Sequence, residues 1–236
     1  MRVSRFMDCA LSWRQVCKYL LVALVAISSP ALASSPLVER SVVVMGAPLS
    51  FKVQASSRGE ASSAIEAAIA RVHALDDLMT TWRPDGELAL VNAELVHAEA
   101  ARSGVRISPD LASYLVDALD WARRTEGLFD PSIGSLVDAW GLKQGGRVPG
   151  SEELAAARNA SGFQLASVEP GEGEDLAPRL RSVVAGIAFD LGAIGKGMAL
   201  DAAAEVLRAH GIESALIDFG GQVLALGPPR DAPAWL

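Results

Sequence analysis

The alternation of apolar and polar positions is clearest at the two ends of the chain that follows residue 40. Ser41-Val-Val-Val44, a break at Met45-Gly-Ala-Pro48, and Leu49-Ser-Phe-Lys-Val53 predict strand over 41–53, with alternating faces after the break. A Ser/Gly-rich turn over 55–61 leads into a helical stripe: Ile65, Ile69, Val72, Leu75 and Leu78 recur at helical spacing. Ser63 and Glu66 stand at capping-box spacing at its start. Thr80 to Asn92 reads as a polar loop that contains Trp82, Pro84 and Gly86.

Ser108-Pro109-Asp110 predicts a helix start, combining an N-cap, a first-position proline and a carboxylate at the positive dipole end. Leu111, Leu115, Leu119 and Ala122 share one face of it, and Gly127 ends it. Ser151-Glu-Glu-Leu154 opens a shorter helix, and 170–178 is an acidic exposed loop. The last third predicts strand at 183–191, a glycine turn at 192–197, helix at 198–210 ended by Gly211, and strand at 215–219. Gly220-Gly221 then turns the chain into Gln222-Val-Leu-Ala-Leu226. Without internal repeats or a linker, this mixture implies one domain of the α/β or α+β class.

The N-terminal pattern is of another kind. Arg2, Arg5, Arg14 and Lys18 precede the apolar run Tyr19–Ile27, and Ser28, Ser29, Pro30 and Ala31-Leu32-Ala33 follow. That order predicts a secretory signal over 1–33, cleaved after Ala33, because the run falls short of the roughly 20 residues that span a bilayer. The expected location is therefore outside the cytoplasm, in the periplasm, free or tethered to the membrane. The domain then occupies 34–236. Losing four basic residues and Asp8 moves the net charge from −7 to −10, which argues against nucleic-acid binding. Cys9 and Cys17 leave with the signal, so neither a disulfide nor a cysteine nucleophile remains. His73, His97 and His210 are scattered without metal spacing, and no serine stands in a G-x-S-x-G elbow. Zinc and serine hydrolases are thereby disfavoured.

The richest segment is Phe189-Asp-Leu-Gly-Ala-Ile-Gly-Lys-Gly197. It delivers Asp190 at the end of an apolar run, turns on glycines, and places Lys196 at the first turn of a helix. Exposed N–H groups beside an ammonium suit a phosphate or diphosphate; a tight turn with a surface lysine is the plainer reading. It is not a Walker A loop, since Asp190 stands five before Gly195 and Gly197 follows Lys196; its G-x-x-G-x-G order also reverses the dinucleotide fingerprint. In Gly127-Leu-Phe-Asp-Pro131, Phe129 could face a ligand or fill a structural corner. Trp82 could stack on a ligand or pack as a lid, and Met45 reads by itself as a core residue.

Taken in order, these stretches resemble the ApbE family of FAD:protein FMN transferases. The matching segments are Met45-Gly-Ala-Pro-Leu49; Met79-Thr-Thr-Trp-Arg-Pro-Asp-Gly-Glu-Leu-Ala-Leu-Val-Asn92; Gly127–Pro131 with Trp140-Gly141; Phe189–Gly197; and Asp218-Phe-Gly-Gly221. The resemblance implies an α+β, mixed-sheet flavin transferase domain. It implies Mg²⁺-dependent transfer of FMN from FAD to a Ser or Thr of an acceptor flavoprotein, which can be membrane-associated, with release of AMP. Met45, Trp82 (where the family more often has Tyr), Leu128 (where it often has Ala), Phe129, Asp130, Asp190 and Lys196 are then expected to contact FAD. Asp190 and Lys196 carry the chemistry, and the carbonyl of Ala193 is a metal ligand. The family's later His-containing segment and its late Asp and Thr metal ligands have no counterpart before Leu236, so the resemblance also implies a domain incomplete at its C-terminus. An exported FAD-binding protein without transfer activity is the alternative, and phosphate-monoester hydrolysis a third.

Overall fold

A computed structural model describes residues 35–235 apart from 172, 174 and 231. The expected signal over 1–33 lies outside the described residues.

The first hairpin joins β1 (Leu37–Val44) to β2 (Ala47–Gln54) through Met45 and Gly46 alone. Both turn residues have positive φ, 48° and 69°, as a two-residue type I′ turn requires. β2 sends Leu49, Phe51 and Val53 into the core, and the intervening residues to the other face. After it comes α1 (Arg58–Met79), whose N-cap is Ser57: its side chain accepts a hydrogen bond from the Glu60 N–H at 3.2 Å. The helix therefore starts six residues before the position expected from Ser63, because Ala61 and Ala64 are fully buried and extend the apolar stripe upstream. Ser57→Ala is expected to cost about 1 kcal/mol in urea denaturation, whereas exposed Ser63→Ala should cost almost nothing.

The 80–92 segment is loop only as far as Gly86; Glu87–Leu95 forms α2 and buries Leu88, Val91 and Leu95. A short α3 (Ala98–Ser103) and β3 (Val105–Arg106) lead to α4 (Pro109–Arg124). α4 begins as predicted, with the Ser108 side chain accepting from the Leu111 N–H at 3.1 Å. Then follow α5 (Gly134–Ala139), α6 (Ser151–Asn159), β4 (Ala166–Glu169) and β5 (Arg179–Ser182). In the acidic loop Asp175 pairs with Arg106 and Arg179; Arg179, and next the Ala177 N–H, hold its carboxyl below the usual carboxylate range.

α7 (Gly195–Ala209), β6 (Ser214–Phe219) and β7 (Gln222–Leu226) complete the described elements. Four strands form an antiparallel sheet in the order β1-β2-β6-β7, and β3-β5-β4 form a smaller antiparallel one. α1 lies against β1, β2 and α7, and the core between them holds Phe51, Ile65, Leu75, Ile217 and Phe219. The class is α+β, as the resemblance implied.

Residues 183–191 are not the strand that their apolar content suggests. They run as a connector whose one β contact is an isolated parallel bridge between Ala188 and Ile133. Its main-chain groups are satisfied otherwise. Gly134 N–H donates to the Ala188 carbonyl and Asp190 N–H to the Pro131 carbonyl, both at 2.8 Å. On the other side the Asn92 amide takes both main-chain groups of Phe189, also at 2.8 Å each. Ile187 and Phe189 are fully buried while Val183 is exposed, so the later part of the segment is core without being sheet.

Candidate functional site

Three irregular pieces of chain meet at a cavity of about 670 Å³: the β1–β2 turn, the end of α1 with the loop after it, and the turn entering α7. Each interrupts a regular element at the same end of the core. Met45 comes from the first, Met79 to Arg83 from the second, and Asp190 to Gly192 with Gly195 and Lys196 from the third. Four residues singled out in the sequence, Met45, Trp82, Asp190 and Lys196, thus share one cavity.

Met45 is held in the left-handed region at φ 48°, a conformation unbranched L-residues adopt at a cost, and its half-buried side chain forms part of the cavity wall. Trp82 stays 68% exposed at the rim. It is not packed down as a lid, which leaves its ring faces open to a ligand.

Asp190 is fixed at both carboxylate oxygens. Oδ1 accepts from the Gly192 N–H at 2.8 Å, and Oδ2 accepts from the Thr81 hydroxyl at 3.2 Å. A Cβ at residue 192 would lie 2.9 Å from that Oδ1, so a side chain there would push the carboxylate off the turn. Thr81, which the sequence reading passed over, both lines the cavity and orients its carboxylate; its only signal was its place beside Trp82 in a polar loop.

The cavity has two cations of different character. Arg83 is engaged by Asp77 and lies 3.7 Å from Asp85; the Asp77 hydrogen bond foremost raises its already high pKa. Lys196 is half-buried and, among the described residues, has no ion pair or side-chain hydrogen bond. It stands in the first turn of α7, whose N-terminus carries no side-chain cap. An uncommitted ammonium at an uncapped helix start is a place for an anion.

The other expected residues lie elsewhere. Leu128 is 95% exposed, Phe129 packs against the core, and neither lines the cavity. The Asp130 carboxylate is occupied locally, accepting from the Ser132 N–H and hydroxyl through Oδ1 and from the Phe163 N–H through Oδ2. That is the geometry of a structural corner. Ala193 is exposed in the turn next to the cavity wall. Among the described residues no three His, Cys, Asp or Glu side chains come together, so these residues alone do not form a cage for a metal ion.

The ApbE family profile matches residues 45–236, beginning at the cavity's own Met45. The chain belongs to the ApbE family. Among relatives, the FAD:protein FMN transferase of Rhodobacter capsulatus is 32% identical over 204 residues, covering 85% of this chain and 37% of that protein. The FAD:protein FMN transferase of Treponema pallidum is 30% identical over 169 residues, covering 71% and 45%. The chain thus spans under half the length of these two ApbE relatives. Among solved structures, the apo form of Pseudomonas stutzeri flavinyl transferase ApbE has a TM-score of 0.74 at 25% identity, covering 86% of this chain and 62% of that one. The Vibrio cholerae flavin transferase ApbE has a TM-score of 0.68 at 28% identity, covering 85% and 62%.

Proposed function

We propose that this ApbE-family protein is an FAD:protein FMN transferase whose 670 Å³ cavity receives the flavin dinucleotide. The observation that carries the reading is the convergence of Asp190, unpaired Lys196, Met45 and the open Trp82 ring on one cavity. Lys196 and the α7 N-terminus would neutralise the diphosphate, and Trp82 and Met45 would supply an aromatic face and an apolar wall. Leu128, Phe129 and Asp130 belong to the proposal through the family resemblance alone.

In the reaction, the hydroxyl oxygen of an acceptor Ser or Thr bonds to the FMN-side phosphorus. The bond from that phosphorus to the bridging oxygen breaks, AMP leaves with the oxygen, and the hydroxyl proton passes to the Asp190 carboxylate. Mg²⁺ dependence, with the Ala193 carbonyl as one ligand, is part of the proposal as the resemblance implies it, and so is export to the periplasm.

The test incubates the full chain with FAD, Mg²⁺ and a candidate acceptor flavoprotein, then reads in-gel flavin fluorescence of the acceptor and AMP by chromatography. Fluorescent acceptor with matching AMP, lost on adding EDTA, supports the reading. FAD binding without either product instead supports the exported FAD-binding protein. Lys196→Ala is expected to weaken FAD binding by about tenfold to a hundredfold, the worth of a charge-assisted contact, with a shallower salt dependence. Unchanged affinity by flavin fluorescence titration would take the diphosphate away from Lys196.

A further inference from the structure

We infer that Asn92 is the positioning residue for Asp190. It sits in α2, outside the lining of the larger cavity, and faces a smaller one of about 330 Å³ behind the 187–190 connector. Its Nδ2 donates to the Phe189 carbonyl and its Oδ1 accepts from the Phe189 N–H, each at 2.8 Å. One side chain thereby does the work of a neighbouring strand for the residue immediately before Asp190.

The opposite edge of the connector is held by the Pro131 and Gly134 main chain, through Asp190 N–H and the Ala188 carbonyl. With both edges taken and the Phe189 ring fully buried, the two peptide planes that flank Phe189, the second of which leads directly into Asp190, are each held by hydrogen bonds at both their carbonyl and their N–H. The carboxylate is then carried to where Thr81 and the Gly192 N–H meet it. The platform behind Asn92 is itself anchored. α2 buries Leu88, Val91 and Leu95, and the Glu87 carboxylate accepts from the Ser108 N–H at 2.7 Å. Only a primary amide can donate to and accept from one residue's main chain in this way: aspartate lacks the donor, and glutamine reaches one methylene too far.

The test uses Asn92→Asp, Asn92→Ala, Asn92→Gln and Asp190→Asn in the full chain. Amide hydrogen exchange at Gly192 reports the place of the Asp190 carboxylate, because that N–H bonds to its Oδ1. We expect it to speed up about fivefold or more in Asn92→Asp and Asn92→Ala, with core amides of α1 unchanged and Asn92→Gln intermediate. Asn92→Asp, isosteric with the native residue, decides the matter if the alanine variant does not fold. Faster exchange at Phe189 alone, with Gly192 unchanged, would reduce Asn92 to a local structural anchor and overturn the inference.

The second readout rests on the transferase reading. Asn92→Ala should slow FMN transfer on its own and add no further loss in an Asp190→Asn background. Additive losses would show that Asn92 acts independently of Asp190 and overturn the inference. An inactive wild type would defeat the transferase reading, while Gly192 exchange would still decide the positioning role.

Discussion

Asp190→Asn is expected to lower FMN transfer by about two to four orders of magnitude, the range for removing a group that takes a proton at the reacting centre. Stability should stay within about 0.5 kcal/mol of wild type, as for an isosteric change outside the apolar core. The separation follows from the hydrogen bonds. An asparagine Oδ1 can still accept the Gly192 N–H, and Thr81 can accept from Nδ2 where it now donates to Oδ2. The turn into α7 therefore survives while the negative charge and the proton acceptor are lost. Transfer rates read by acceptor fluorescence, beside urea denaturation of the same preparation, separate the two effects. A variant that transfers FMN at the native rate would remove Asp190 from the chemistry.

The residues most legible in the sequence were those that interrupt a hydrophobic pattern. Met45 breaks a strand, Trp82 stands in a polar loop, and Asp190 and Lys196 bracket a glycine turn; the fold gathers all four at one end of the core. Elements with a single strong period were equally readable: β2, the Ser108-capped helix, and the hairpin over Gly220-Gly221. α1 was misplaced because Ser57-x-x-Glu60 and Ser63-x-x-Glu66 both have capping-box spacing, and only the burial of Ala61 and Ala64 decides between them. Small alanines carry a weak periodic signal. α2 was missed because Pro84 and Gly86 just before it mark a loop, although Leu88, Val91 and Leu95 hold helical spacing.

The 183–191 connector marks the limit of periodicity as a guide. Ile187, Ala188, Phe189 and Leu191 are buried as a strand's residues would be, yet a strand is defined by the main-chain partner, and on one edge here a side chain takes that place. No local pattern shows that Asn92 will meet Phe189 from 97 residues away. The same holds for Asp130, whose three donors come from Ser132 and Phe163 and fix a corner outside the cavity.

Gly134→Ala is expected to destabilise the protein by about 3 kcal/mol, the upper end for overpacking, because the obstacle is main chain. An added Cβ would lie 2.8 Å from both the carbonyl carbon and oxygen of Ala188 and 2.9 Å from its Cβ. Backbone strain plays no part, since Gly134 lies outside the left-handed region. What forbids the methyl group is the close approach that lets Gly134 N–H reach the Ala188 carbonyl at 2.8 Å. Relief requires the 131–134 and 188–190 segments to separate, which also strains the bond from Asp190 N–H to Pro131. Stability and the place of Asp190 should therefore fall together. Gly59→Ala is the matching control: in the first turn of α1 its new Cβ meets only the Ser57 hydroxyl oxygen at 3.9 Å. Helix propensity there favours alanine by up to about 1 kcal/mol. Urea midpoints at constant slope measure both changes. A Gly134→Ala protein as stable as the native one would mean that these two segments are not tightly paired, and the carboxylate at the cavity would then lack the rigid support that its geometry implies.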